Sequence, residues 1–383
     1  MTKDDPILNY TQSHLPKIIS WIAGLVEIES PTDDRVAVNR AVEYVADFVA
    51  PFAKVKLRQQ RHYGNHLRIE FNLPGHRKTS QILGLGHLDT VWPIGTIERM
   101  PCKKTSGRLW GPGVFDMKSG VGFLIFAAQA IRETDKPIPH RFVLQLNSDE
   151  EVGSPSSRPF TEAEAKKSKV VFVAEPSAGL DGRAKTARKG GGMYTLTVEG
   201  RAAHSGLDFS TGVSAVLELS RQLLKISEWS DVNRGVTVNP GVIRGGTRSN
   251  VVPGIAWAEI DVRTPFPVDA RRIERQFNKI QPIDPRTRVT VEGGIRRPPL
   301  VRSRNVLKLH RKARKLSTAM GFELGEALVG GGSDGNFTAS LGVPTLDGLG
   351  GVGEGAHAAN ESILVDRIAD RTALLAKLFA EMY

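Results

Sequence analysis

Short apolar runs alternate with amphipathic stretches along the whole chain. Ile18, Ile19, Ile22, Leu25 and Val26 recur at helical spacing and predict a first helix that stops before Pro31. Residues 67–71, 82–85, 142–146 and 170–173 are apolar-rich and bounded by polar or glycine positions, the pattern of strands buried on both faces. A helix from about residue 118 to 132 is expected between the second and third of them. Strand and helix alternating in this way predict an α/β protein, with helices layered on a mixed sheet.

The pattern changes between 187 and 296. Strands are predicted at 193–198, 235–242, 255–262 and 288–292, and helices at 213–226 and 268–280. That β-α-β-β-α-β order is the split βαβ, or ferredoxin-like, arrangement. Gly190-Gly191-Gly192 before it and Pro298-Pro299 after it are hinge punctuation. The expected organisation is a discontinuous α/β/α domain, 1–186 with 297–383, carrying an inserted lid at 187–296.

Composition leaves this picture in place. With 383 residues, 40% hydrophobic and 24% charged, the chain can build one large core and a smaller one. Met1-Thr2-Lys3-Asp4-Asp5 has no basic stretch leading into an apolar one, and no apolar run is read as approaching the ~20 residues that span a bilayer, so a cytoplasmic protein without a membrane partner is expected. Cys102 is the sole cysteine, so no intrachain disulfide can form.

The charge needs weighing, because 52 basic and 41 acidic residues leave +11. Much of the excess lies at 183–189 and from Arg296 to Lys315, the second cluster largely on a predicted helix whose inward side is Val306, Leu307, Leu309, Ala313, Leu316 and Met320. No aromatic-interleaved platform, recognition helix or zinc finger accompanies it. The basic residues therefore read as a solvated face, without a nucleic-acid partner.

The chemistry sits at the ends of the apolar runs. His87 and Asp89 follow the second, Asp116 precedes the long helix, Asp149-Glu150-Glu151 follows the third, Glu175 follows the fourth, and His357 comes late. Strand ends are where an α/β sheet presents side chains to a crevice, and histidine with carboxylates is the donor set of a divalent metal. Two adjacent glutamates beyond a strand can diverge, one to ligate and one to take a proton from water. A metal-dependent hydrolase is the reading this order supports.

Six stretches in fixed order carry a resemblance: Gly86-His87-Leu88-Asp89-Thr90-Val91, Gly111 to Gly120, Asp149 to Ser154, Glu175-Pro176, Gly200 to Gly206, and Gly330-Gly331-Gly332-Ser333-Asp334. The chain resembles the di-zinc amidohydrolases and peptidases that include glutamate carboxypeptidase, acetylornithine deacetylase, succinyl-diaminopimelate desuccinylase and the aminoacylases. The glutamate carboxypeptidase branch is the nearest in its motifs. The resemblance implies two divalent ions, zinc with cobalt or manganese as alternatives. Asp116 would bridge them, His87 and Glu175 completing one site and Glu151 and His357 the other. It makes Glu150 the general base, Asp89 the partner of His87, and His204 a hydrogen-bond donor to the substrate carbonyl. Arg263, Asn250, Arg201, Gly331 and Ser333 become contacts to the substrate. It also implies a cis peptide after Asp116 and a homodimer through the lid. The expected substrate is a small peptide or N-acyl amino acid, cleaved at its amide. An N-acyl amino-acid deacylase is the alternative within the class, and a non-catalytic basic binding protein the alternative outside it.

Overall fold

The computed structural model describes residues 5–75, 78 and 80–382. Met1-Thr2-Lys3-Asp4, part of the stretch without an export pattern, lies outside them. The chain divides into two compact units, one formed by Met1–Ala187, Arg302–Val329 and Ser333–Tyr383, the other by Arg188–Val301 with Gly330–Gly332.

The first unit is built on a six-stranded sheet in the order Ala53–Arg58, His66–Phe71, His140–Asn147, Ser80–His87, Ser168–Val173, Thr345–Leu346. The first two strands pair antiparallel and the remaining four run parallel, so the sheet is mixed. Its central strands are buried along nearly their whole length, which is why they read as continuous apolar runs rather than alternating ones. Phe142 stacks on Phe379 of the carboxy-terminal helix at 4.1 Å between ring centres, tying sheet to helix layer.

The stretch Val114–Glu133 corrects one reading of the sequence. Among the described residues it is the one helical run long and apolar enough to cross a membrane, yet its side chains are buried inside the protein. Asp116 and Met117 have non-helical backbone angles, so the regular helix is Ser119–Glu133, 15 residues. At 1.5 Å per residue that is about 22 Å, short of the ~30 Å hydrocarbon thickness. It is apolar on all sides because sheet and neighbouring helices enclose it.

The second unit is a four-stranded antiparallel sheet ordered Thr237–Gly245, Ile255–Thr264, Gly190–Glu199, Arg288–Arg297. Helices Ala215–Ser227 and Pro267–Phe277 supply its apolar layer, with Leu219, Ile226, Ile273 and Phe277 buried against Leu196, Val198, Ala258 and Ile260. Here alternation is visible in the burial: every second residue of Gly190–Glu199 faces the helices.

Candidate functional site

Parallel register gathers the strand-end residues. His87 lies opposite Asn147, and Leu85 opposite Val173. The three strands therefore end together, and the residues just past them, Asp89, Glu150, Glu151 and Glu175, emerge along one edge of the sheet. Asp116 arrives from the loop before the long helix, and His357 from a late turn where it adopts φ +60°. Two glycines permit the approach. Gly113 has φ +73°, and a Cβ there would stand 2.6 Å from Thr90 Cγ2; a Cβ on Gly120 would stand 1.9 Å from the Ala174 carbonyl oxygen.

Asp116 sits between the two histidines. Its Oδ1 is 3.3 Å from His87 Nε2 and its Oδ2 is 3.6 Å from His357 Nε2. Glu175 Oε1 lies 3.6 Å from His87 Nε2, and Glu151 Oε2 lies 3.2 Å from His357 Nε2. Donor atoms of His87, Glu150 and Glu175 lie within 4.8 Å of one another, as do those of His87, Asp116 and Glu151. All six residues named from the sequence for this centre are thus in one cluster. The Asp116–Met117 peptide is cis.

Asp89 acts differently from the simple carboxylate–imidazole pair expected. His87 Nδ1 donates to the Asp89 main-chain oxygen at 2.9 Å, whereas the carboxylate Oδ1 is 3.4 Å away. The carbonyl therefore holds the Nδ1 proton, so Nε2, which faces Asp116 and Glu175, is the nitrogen that can exchange its own proton for a cation. The Asp89 carboxylate accepts from Thr32 Oγ1 at 2.8 Å and from the Glu151 N–H at 3.1 Å, so it also pins the turn that carries Glu150 and Glu151. Asp149 anchors the far side of that turn by accepting from the N–H groups of Ser156 and Ser157.

The donor set suits divalent cations. Four carboxylates and two imidazoles supply the oxygen and nitrogen ligands such ions take, and Glu151 Oε1 is buried without a hydrogen-bond partner. Negative charge is in surplus. Burial alone would lower the His87 pKa, but hydrogen bonds to Asp116 and Asp89 and the surrounding carboxylates raise it well above the ordinary value. The hydrogen bond to Glu151 raises His357 to about 9. Burial pushes Glu151 up, while His87, Lys185 and His357 hold Asp116 below its usual value against its own burial. Bound cations would neutralise the excess these shifts record.

The remaining expected residues belong to the second unit, Ser333 excepted. In the second unit His204 is on a two-residue strand paired with Val251, and the main chain of Asn250 accepts from the Ser205 N–H, so these two belong to one turn. The N–H groups of Gly206 and Leu207 donate to His204 Nδ1 at 3.1 and 3.2 Å. The imidazole proton must then sit on Nε2, which becomes a donor. Arg201 is exposed and bonds the Thr211 carbonyl. Arg263 holds Asp261 through Nε and Nη2, both at 2.9 Å, leaving the Nη1 side of the fork to face other anions. The Gly331 carbonyl accepts from Arg188 Nη1 at 3.2 Å.

Ser333 belongs to the first unit and differs from its expected role. It is fully buried, and its hydroxyl donates to Asp347 at 2.6 Å. Its hydroxyl oxygen also accepts from the Gly335 N–H at 3.1 Å, so it is engaged inside the first unit. Thr32 and Glu361 were not legible as site residues, because each acts through a contact between segments distant in the chain.

Comparison with known proteins identifies the family. The profile of peptidase family M20/M25/M40 matches residues 84–381. Carboxypeptidase G2 of Pseudomonas sp. strain RS-16 is 25% identical over 389 residues, covering 99% of this chain and 92% of its own. Acetylornithine deacetylase of Myxococcus xanthus is 28% identical over 198 residues, covering 47% of this chain and 50% of its own. Among solved structures, aminopeptidase PepT from Bacillus cereus superposes with a TM-score of 0.76 at 19% identity, covering 96% of this chain and 98% of that one, a likeness of fold. With a family match spanning most of its length and a histidine–carboxylate cluster at the strand ends, this chain belongs to peptidase family M20/M25/M40 and is a metallohydrolase.

Proposed function

We propose that this protein is a two-metal hydrolase of the glutamate carboxypeptidase type, cleaving an amide to release a carboxy-terminal or N-acylated amino acid. The observation that carries the reading is Asp116, whose two oxygens face two different imidazoles, His87 at 3.3 Å and His357 at 3.6 Å. A carboxylate so placed can serve two ions, with His87 and Glu175 completing one set of ligands and Glu151 and His357 the other. Zinc suits this nitrogen and oxygen donor set. When bound, such ions polarise the scissile carbonyl and acidify water.

The protein's own residues supply the rest. Glu150, beside His87 and Glu175, takes the proton of the attacking water and delivers it to the leaving nitrogen. His204, with its proton held on Nε2, donates to the carbonyl oxygen as negative charge develops there. Arg263, oriented by Asp261, grips the carboxylate of the released amino acid.

An N-acyl amino-acid deacylase is the second reading, favoured by the likeness to acetylornithine deacetylase. A hydrolysis screen separates the two, using dipeptides and N-acyl amino acids ending in Glu, Asp, Ala, Leu or Lys on metal-stripped and zinc-loaded protein. Zinc-dependent release of carboxy-terminal glutamate is expected. Release from N-acetyl or N-succinyl basic amino acids alone would select the deacylase, and no turnover with any substrate would end the proposal.

A homodimer through the second unit is part of this proposal. Val242 and Ile243 are 39% and 56% exposed on its edge strand, and Leu217 and Leu224 are 57% and 70% exposed on the helix Ala215–Ser227. Apolar side chains beside an open edge are what a second copy would cover. If His204 serves the partner's site, inactive His204→Ala and Glu150→Gln proteins should recover activity on subunit exchange. Random exchange of equal amounts makes half the dimers mixed, each with one intact site, so about a quarter of wild-type specific activity is expected. No recovery despite mass-spectrometric proof of exchange would place His204 in its own subunit's site or outside catalysis.

A further inference from the structure

One buried carboxylate outside the ligand set joins three of the segments that carry it. Glu361 is 1% exposed and accepts four hydrogen bonds. Its Oε2 takes the Trp92 indole N–H at 2.7 Å and the Gly113 N–H at 2.9 Å. Its Oε1 takes the N–H groups of Phe115 and Asp116, both at 3.0 Å. The Glu361 main-chain oxygen also accepts from Gly111 N–H at 3.4 Å.

The placement of these donors matters more than their number. Trp92 lies three residues after Asp89, Asp116 is itself a donor, and Glu361 stands four residues after His357. The loop from Gly113 to Asp116 departs from regular helix geometry, since Gly113 is left-handed and Asp116 is extended at φ −116°, ψ 96°. Its N–H groups would otherwise be buried without acceptors, and Glu361 satisfies three of them at once. Charge-assisted bonds of this kind are short and directional. The result is a backbone cradle that fixes where the Asp116 carboxylate starts.

We propose that Glu361 is a positioning residue that clamps the 113–116 loop to the segments bearing His87 and His357, and thereby sets the metal affinity of the centre. The metal-affinity part rests on the two-metal reading above; the clamp does not. Glutamine is the informative substitution, because its amide nitrogen, in either orientation, would face two N–H donors and lose both bonds.

Hydrogen exchange on the metal-free full-length protein tests the clamp by itself. In Glu361→Gln the amides of residues 111–118 should exchange at least about tenfold faster, while the strand His140–Asn147 keeps its protection and shows that the fold is intact. Zinc affinity, read by competition with a chromophoric chelator, should fall about 10- to 100-fold, the range seen when outer partners of metal ligands are removed. Trp92→Phe, which removes one donor and leaves the three loop bonds, should stay within about threefold of wild type. If Glu361→Gln does not fold, Glu361→Asp keeps the charge but falls short by one methylene, and should show both changes in smaller measure. Unchanged exchange at 111–118 would overturn the clamp. Faster exchange with unchanged zinc affinity would overturn its link to the metals. A wild-type protein that binds no zinc would count against the two-metal reading while leaving the exchange result to decide the clamp.

Discussion

Asp116→Ala is expected to strip the protein of both divalent ions together. Two divalent ions about 4 Å apart repel by roughly 4 kcal/mol even in water, four times the figure for unit charges, and by more in a partly buried site. Asp116 has one oxygen toward each imidazole, at 3.3 and 3.6 Å, so on the two-metal reading its loss would remove a ligand from both ions and the charge that screens them. Elemental analysis after dialysis should find neither ion retained, with affinity lowered by about 100-fold or more. Retention of one ion at full occupancy would show that Asp116 serves a single site.

The neighbouring glutamates should separate base from ligand. Glu150→Gln should keep both ions and lose about 100-fold or more in turnover, because the amide cannot accept the proton of water. Glu151→Gln should weaken one ion, since Glu151 Oε2 stands 3.2 Å from His357 and its other oxygen is buried without a partner. The pair is a demanding test because Glu150 also lies within ligand reach of His87 and Glu175. Parallel metal titration and kinetics on the two variants decide it, and equal metal loss in both would mean the roles are exchanged.

Much of the architecture was legible because its signals are local. Apolar runs at 82–85, 142–146 and 170–173 gave the buried strands, and helical spacing from Ile18 to Val26 gave the helix Leu15–Glu27. The order of His87, Asp116, Glu151, Glu175 and His357 could be read without knowing a single distance. Local pattern also placed the helix Ser119–Glu133, expected at about 118 to 132, while its enclosure on every side comes from the layers around it.

By itself, then, the sequence determined the α/β alternation, the four-strand and two-helix order of the second unit, and the residue types of the site, because periodicity and ligand chemistry are properties of short stretches. Tertiary structure alone decided which of those residues meet. Parallel register sets His87 opposite Asn147 and so brings Glu150 and Glu175 to the same edge. Folding also turned the Asp89 carbonyl, rather than its carboxylate, onto His87 Nδ1, committed the Ser333 hydroxyl to Asp347, and paired Arg263 with Asp261. It placed Glu361 against a loop 245 residues earlier in the chain. In the pairs two residues apart, His87 with Asp89 and Arg263 with Asp261, folding decided only which atoms face each other; the bond from Asp116 to Glu361 leaves no mark in sequence spacing, because it depends on two atoms that only the packing of distant segments brings together.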